Sequence, residues 1–302
     1  MSRRNAAERS KTNQGILLAI LAAALYALNA PFSKILLEHM PSTLMAGFLY
    51  LGAGLGMAAI AGVRKIRKTA DHEMTLTRKE MPYTIAMILL DIAAPIFLLM
   101  GLRATTAANA SLLNNFEIVA TALIALGIFK EQISKRLWLG ILFVTLSCAV
   151  LSYEDLSSLQ FSGGSLFILL ACVCWGFENN CTRMLSAKDP LQIVLLKGIF
   201  SGIGSLTIGL CIGERITDWW SVPAVLAIGL IAYGLSIYVY VYAQRLIGAA
   251  RTSAYYAIAP FIGVLLSVII FKNALSPAFI MAVVLMALGA WLASSDEPLG
   301  QK

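Results

Sequence analysis

Three carboxylates stand inside apolar runs: Asp91 in "ILLDIAAP", Glu117 in "NNFEIVA" and Glu178 in "WGFENNC". An acid at the centre of a membrane helix costs about 2.5–3.5 kcal/mol, so each of these should face a cavity or a partner. In that setting a carboxylate has two uses. It can hold a cationic group, or it can take up a proton and release it. Asp91, Glu117 and Glu178 are therefore the candidate proton-coupling residues. Lys197, a turn and a half into another apolar run, is the candidate charge partner, with Glu178 the favoured acid.

Spacing adds detail around each acid. Ser111, Asn114 and Thr121 share one helical face with Glu117. That polar stripe either lines a water-filled cavity or forms a polar clamp between helices. Asp91 lies four residues before Pro95, and a proline removes the donor that would bond the Asp91 carbonyl. A kink there would suit a gate. Glu178 is followed by Asn179 and Asn180, and Asn29 stands two residues before Pro31. Both stretches read as polar interruptions of a helix. Trp175, Tyr233 and Tyr256 supply rings that suit an amphipathic small molecule.

Other chemistries find little support. The five cysteines fall in apolar runs without a CxxC pair, and the two histidines, His39 and His72, lie in loops. Neither a metal site nor a disulfide framework is expected, and no cofactor is implied. The P-loop pattern GxxxxGK[ST] is missing from the sequence, which argues against ATP-driven pumping. The net charge of +7 is spread through short loops, as helix orientation requires, so nucleic acid is not an expected partner.

The elements that position these residues follow from composition. Hydrophobic residues make up 59% of the 302 positions, charged residues 13%, and the mean hydropathy is +0.80. Apolar runs long enough to cross about 30 Å of hydrocarbon recur throughout. They cover 16–37, 43–63, 82–102, 105–129, 137–153, 164–185, 191–211, 222–243, 252–271 and 277–294. The first is too long for the apolar part of a signal peptide. With the N-terminus in the cytoplasm, nearly all Lys and Arg fall on the inner side. The exceptions are Arg103, Arg215 and Lys272, and the in-span Lys34 and Lys197. Both termini should then be cytoplasmic. Lys34, near the outer end of its span, is expected to snorkel.

The chain also repeats itself. "GILLAILAAALYALNAPFSKILLEHMP" from Gly15 aligns with "GSLFILLACVCWGFENNCTRMLSAKDP" from Gly164, pairing Tyr26 with Trp175 and Asn29 with Glu178. Further on, "GIFKEQIS" at Gly127 aligns with "IIFKNALS" at Ile269. Five helices per copy is an odd number, so the second copy must lie upside down relative to the first. Inverted repeats around a midplane site are a recurring design of secondary transporters.

On these features the chain resembles the EamA family of the drug/metabolite transporter superfamily. The fourth-helix pattern "ATTAANASLLNNFEIVATALIALGIFKEQIS" and its partner "GAARTSAYYAIAPFIGVLLSVIIFKNALS" carry the likeness. The family often has a proline mid-helix and a glutamate after it. Pro260 supplies the proline in the second copy, where the first has Ile118; Glu131 supplies the acid in the first, where the second has Asn273. The resemblance implies export of metabolites or amino acids across the inner membrane.

The expectation is thus an all-α polytopic membrane protein with ten transmembrane helices in a 5+5 inverted repeat. Residues 1–15 form a cytoplasmic tail, 16–153 and 164–294 the two units, and 295–302 a second tail. Its partners are the lipid bilayer, a small-molecule substrate and, as coupling ion, the proton; no oligomeric state is specified. Asn29, Asn114, Glu117, Trp175, Glu178, Asn179, Tyr233 and Tyr256 are the candidate substrate contacts, with Pro31, Pro95 and Pro260 as gating kinks. An uncoupled uniporter of the same fold, or a polytopic membrane enzyme, are the competing readings.

Overall fold

The computed structural model describes residues 2–66, 76–128, 130, 134–155, 160–185, 188–247, 252, 255–272 and 275–294. His72, Glu131, Asn273 and the 295–302 tail lie outside the described residues. The described chain is a helical bundle. Eight helical stretches, several of them joined across a turn or a π-helical segment, are long and apolar enough to cross a membrane, and two shorter apolar helices, Ala259–Phe271 and Pro277–Ala293, follow. Polarity runs opposite to that of a soluble domain. Leu17, Leu89, Leu142 and Leu265 are exposed, while Asn29, Asp91, Glu178 and Lys197 are buried. Such a surface belongs in lipid, and the chain is a multi-pass membrane protein.

In chain order the helices are α1 (Ser2–Ala27), α2 (Asn29–Leu36), α3 (Ser42–Ile66), α4 (Met81–Ala104), α5 (Ala107–Leu113), α6 (Phe116–Gly127) and α7 (Lys135–Ser152). A two-stranded antiparallel hairpin follows, β1 (Tyr153–Asp155) and β2 (Gln160–Phe161). Then come α8 (Gly163–Met184), α9 (Pro190–Leu196), α10 (Gly202–Cys211), α11 (Ser221–Ile228), α12 (Ser236–Ile247), α13 (Ala259–Phe271) and α14 (Pro277–Ser294). Two wide π-helical segments, Lys197–Ser201 and Gly229–Leu235, join α9 to α10 and α11 to α12. Each inserts extra backbone into a turn and re-aims the side chains around it.

Breaks in the spans follow local chemistry. Pro31 has no N–H to offer the Ala27 carbonyl, so α1 stops and the helix restarts at Asn29. The fourth span breaks at Asn114–Asn115, where the Asn115 amide bonds back only three residues, to Leu112 O at 3.2 Å. Ala257–Ile258 form a turn ahead of α13, with Pro260 in its first turn. One sequence-based expectation changes here. The polar stretch Glu178–Asn180 does not interrupt its helix, because α8 runs unbroken from Gly163 to Met184. Pro95 lies within α4, which continues past it.

The helices pair across the duplication. α4 lies along α8 and α1 along α12, while α7 packs on α14, α5 on α13, and α3 against the run from α9 to the π segment that precedes α12. Close approach is made by small residues. Gly198 abuts the backbone of Gly54, and Gly229 abuts the Leu49 carbonyl.

Candidate functional site

Three polar clusters occupy the interior, each assembled from several helices. The first is ionic. Lys197 opens the π segment after α9, and its Nζ lies 3.0 Å from Glu178 Oε1 on α8 and 3.1 Å from Asp91 Oδ2 on α4. All three side chains are buried, Asp91 completely. Tyr50 Oη on α3 donates to Asp91 Oδ1 at 2.8 Å, and Thr182 Oγ1 donates to Glu178 Oε1. When fully ionised this set carries two negative charges and one positive. One added proton or cation would balance it, and an apolar surround makes that balance matter. The pairing of Lys197 with Glu178 was legible in the sequence; the second partner, Asp91, and the Tyr50 hydroxyl were not.

The second cluster surrounds Glu117. Asn179 Nδ2 donates to Glu117 Oε1 at 2.6 Å and reaches Thr121 Oγ1 at 3.3 Å. The adjacent Asn180 Nδ2 donates to Thr121 O at 3.1 Å and to Gly176 O at 2.8 Å. α6 is thereby docked on α8 by two neighbouring amides. The break at Asn114–Asn115 divides the expected stripe. Glu117 and Thr121 face Asn179, while Ser111 and Asn114 line a small cavity.

The third cluster is aromatic. Asn29 Nδ2 donates to Tyr233 Oη at 3.1 Å and accepts at Oδ1 from Ser33 Oγ at 3.0 Å. The Tyr233 ring lies 5.2 Å from Tyr50 and 6.2 Å from Tyr26. Tyr26 continues to Tyr256 at 6.0 Å, and Tyr256 to Tyr240 at 4.9 Å. Tyr50 belongs to both the ionic and the aromatic cluster, which links Asp91 to Tyr256 by a chain of rings. Trp175 is buried in the apolar core with Ile168 and Cys172.

Two cavities accompany these groups. One of about 20 Å³ lies where the helix breaks meet, lined by residues that include Tyr26, Asn29, Ser111, Asn114 and Pro260. The other, of about 420 Å³, opens at one rim of the bundle beside Lys34, Arg103, Thr106 and Ser162. At that rim His39 Nδ1 lies 3.0 Å from Asp218 Oδ2, and Glu214 Oε2 accepts from Leu44 N at 2.9 Å. At the opposite rim Lys188 Nζ lies 3.4 Å from Glu80 Oε1. Thr77 donates to Glu80 through its backbone N–H and its hydroxyl, which holds the Glu80 carboxyl below its usual pKa.

Comparison with known proteins gives this arrangement a context. The profile described as the EamA-like transporter family matches residues 13–153 and again 162–295. An uncharacterised transporter of Methanothermobacter thermautotrophicus is 26% identical over 278 residues, 87% of this chain and 80% of that protein. The uncharacterised transporter YyaM of Bacillus subtilis is 25% identical over 178 residues, 55% of this chain and 58% of that one. A solved crystal structure superposes with a TM-score of 0.65 at 19% identity, over 94% of this chain and 95% of its own. That last likeness bears on the fold alone.

Proposed function

The chain belongs to the EamA-like transporter family, and from that premise we propose that it is a secondary exporter of a small amphipathic metabolite working by alternating access. Two inverted five-helix units, 16–153 and 164–294, form the carrier in the cytoplasmic membrane, with both termini on the cytoplasmic side. The pairing of helices supports this reading. Exchanging the two copies turns the α4–α8 contact into the α1–α12 contact and returns the α7–α14 and α5–α13 contacts to themselves. A carrier that works by swapping the shapes of its halves needs such a relation.

The observation that carries the proposal is the buried set of Asp91, Lys197 and Glu178, flanked by interrupted or π-helical spans. Charges at this depth are costly, and a purely structural role would be served as well by apolar packing. The proton is the proposed coupling ion, taken by the carboxylate that Lys197 does not neutralise. The substrate's polar end meets Glu117 and Asn179, and its apolar part lies against Tyr26, Tyr233 and Tyr256. Amino acids and related solutes fit this mixture of carboxylate, amide and ring.

Reconstitution tests it. Proteoliposomes preloaded with a panel of radiolabelled amino acids should release at least one of them faster under an imposed pH gradient. Glu178→Gln and Asp91→Asn should each remove the response to the gradient. Release that runs at full rate regardless of the gradient would instead mark an uncoupled uniporter.

A further inference from the structure

We infer that the 20 Å³ cavity beneath the helix breaks is a binding site for a single desolvated monovalent metal cation, held by uncharged oxygens. The inference concerns binding and does not rest on transport. Three interrupted spans meet there: the first at Leu28, the fourth at Asn114–Asn115 and the ninth at Ala257–Ile258. The fourth and ninth break at positions matched by the duplication, Asn115 and Ala257. Interrupted helices expose carbonyls that suit monovalent cations. Here Pro31 deprives Ala27 O of its usual donor, and Pro260 does the same for Tyr256 O.

One side chain points to a ligand independently. Ser111 is 4% exposed, and its Oγ has no hydrogen-bond partner among the described residues. Buried hydroxyls are nearly always satisfied, so an orphan needs a reason. Space is kept open beside it. A Cβ on Gly263 would sit 2.7 Å from Ser111 Oγ and 3.5 Å from Ala27 O, so both oxygens border the volume that this glycine leaves free.

Size and charge select the guest. About 20 Å³ admits one water-sized guest, and a metabolite is excluded. Among the described residues the lining includes Asn29 and Asn114 but no carboxylate. Divalent cations are therefore disfavoured, because their sites draw on carboxylates. Half-helices also begin here, at Asn29 and Ala259, which by themselves would favour an anion. The surrounding field opposes one. Glu117 follows within a turn of Asn114, its N–H bonded to Asn114 O at 3.1 Å. The buried acids Asp91 and Glu178 also outnumber Lys197. The geometry thus favours Na⁺ or K⁺ on Ser111 Oγ and Ala27 O, with Asn29 and Asn114 completing the polar lining.

The test uses the purified full-length protein in detergent at fixed pH. Thermal unfolding is followed as NaCl or KCl replaces choline chloride at constant ionic strength, and bound ²²Na⁺ or ⁸⁶Rb⁺ (a K⁺ tracer) is counted by equilibrium dialysis. One of the two ions should raise Tm saturably, with one ion bound per chain. Ser111→Ala should weaken that ion's binding at least about tenfold, and Gly263→Ala, which fills the cavity, should abolish it. Ser205→Ala removes another buried hydroxyl without a partner among the described residues and should leave binding intact. If neither salt shifts Tm beyond choline and neither tracer binds, the cavity holds water and the inference fails. It fails equally if binding is unchanged in Ser111→Ala.

Discussion

Lys34 and Arg103 cap one another's helices. Lys34 Nζ donates to the carbonyls of Leu102, Arg103 and Thr105 at 2.6, 3.1 and 2.8 Å, around the end of α4. Arg103 returns the contact, donating to Leu37 O at 3.2 Å and Met40 O at 3.0 Å just past α2. Each cation thus sits at the negative pole of the other's helix, where carbonyls lack partners.

Lys34→Met should destabilise the protein by about 1.5–3 kcal/mol, the usual worth of hydrogen bonds to a charged group. Lys34→Arg should recover only part of this, since a planar fork does not reproduce three converging ammonium donors. Unfolding in mixed micelles measures both. A methionine variant as stable as the parent would show that the lysine merely reaches for water.

The buried ion set makes a sharper prediction. Lys197→Met leaves Asp91 and Glu178 facing one another without their shared cation, and removing one member of a buried pair costs about 3–5 kcal/mol. Adding Asp91→Asn and Glu178→Gln to that variant should restore most of the stability, because no buried charge then remains uncompensated. Were the triple variant less stable than Lys197→Met, the ionic account of this cluster would be wrong.

How much of this was legible beforehand depended on the range of the physics involved. The acids could be singled out because lipid makes any buried charge improbable, and that argument needs no structure. Pro31 and Pro260 announced backbone breaks by lacking an N–H. The break at Asn114–Asn115 was not announced, since asparagine fits both helix and turn. Asn179 and Asn180 gave the opposite error. They looked like an interruption, but their amides bond sideways, to Glu117, Thr121 and Gly176, and leave the helix whole. The partners of Lys34 depended on where α4 ends in space, which no local pattern encodes. The two π segments likewise reflect how spans seven and eight fit their neighbours.

Helix contacts supply a last prediction, in which the same substitution has opposite effects within one helix. Gly52 and Gly62 both lie on α3. A Cβ on Gly52 would collide with the backbone carbonyl of Leu226 on α11, whereas one on Gly62 would meet nothing within 4 Å. Backbone cannot yield as a flexible side chain does, so Gly52→Ala must push two helices apart, at about 1–3 kcal/mol. At Gly62 the added methyl only removes conformational freedom from the unfolded chain and favours helix, a gain of about 0.4–1 kcal/mol. Thermal unfolding of the two variants should therefore move Tm in opposite directions. Equal shifts would mean that α3 and α11 do not touch at Gly52, and the packing described for the span carrying Tyr50 would need redrawing.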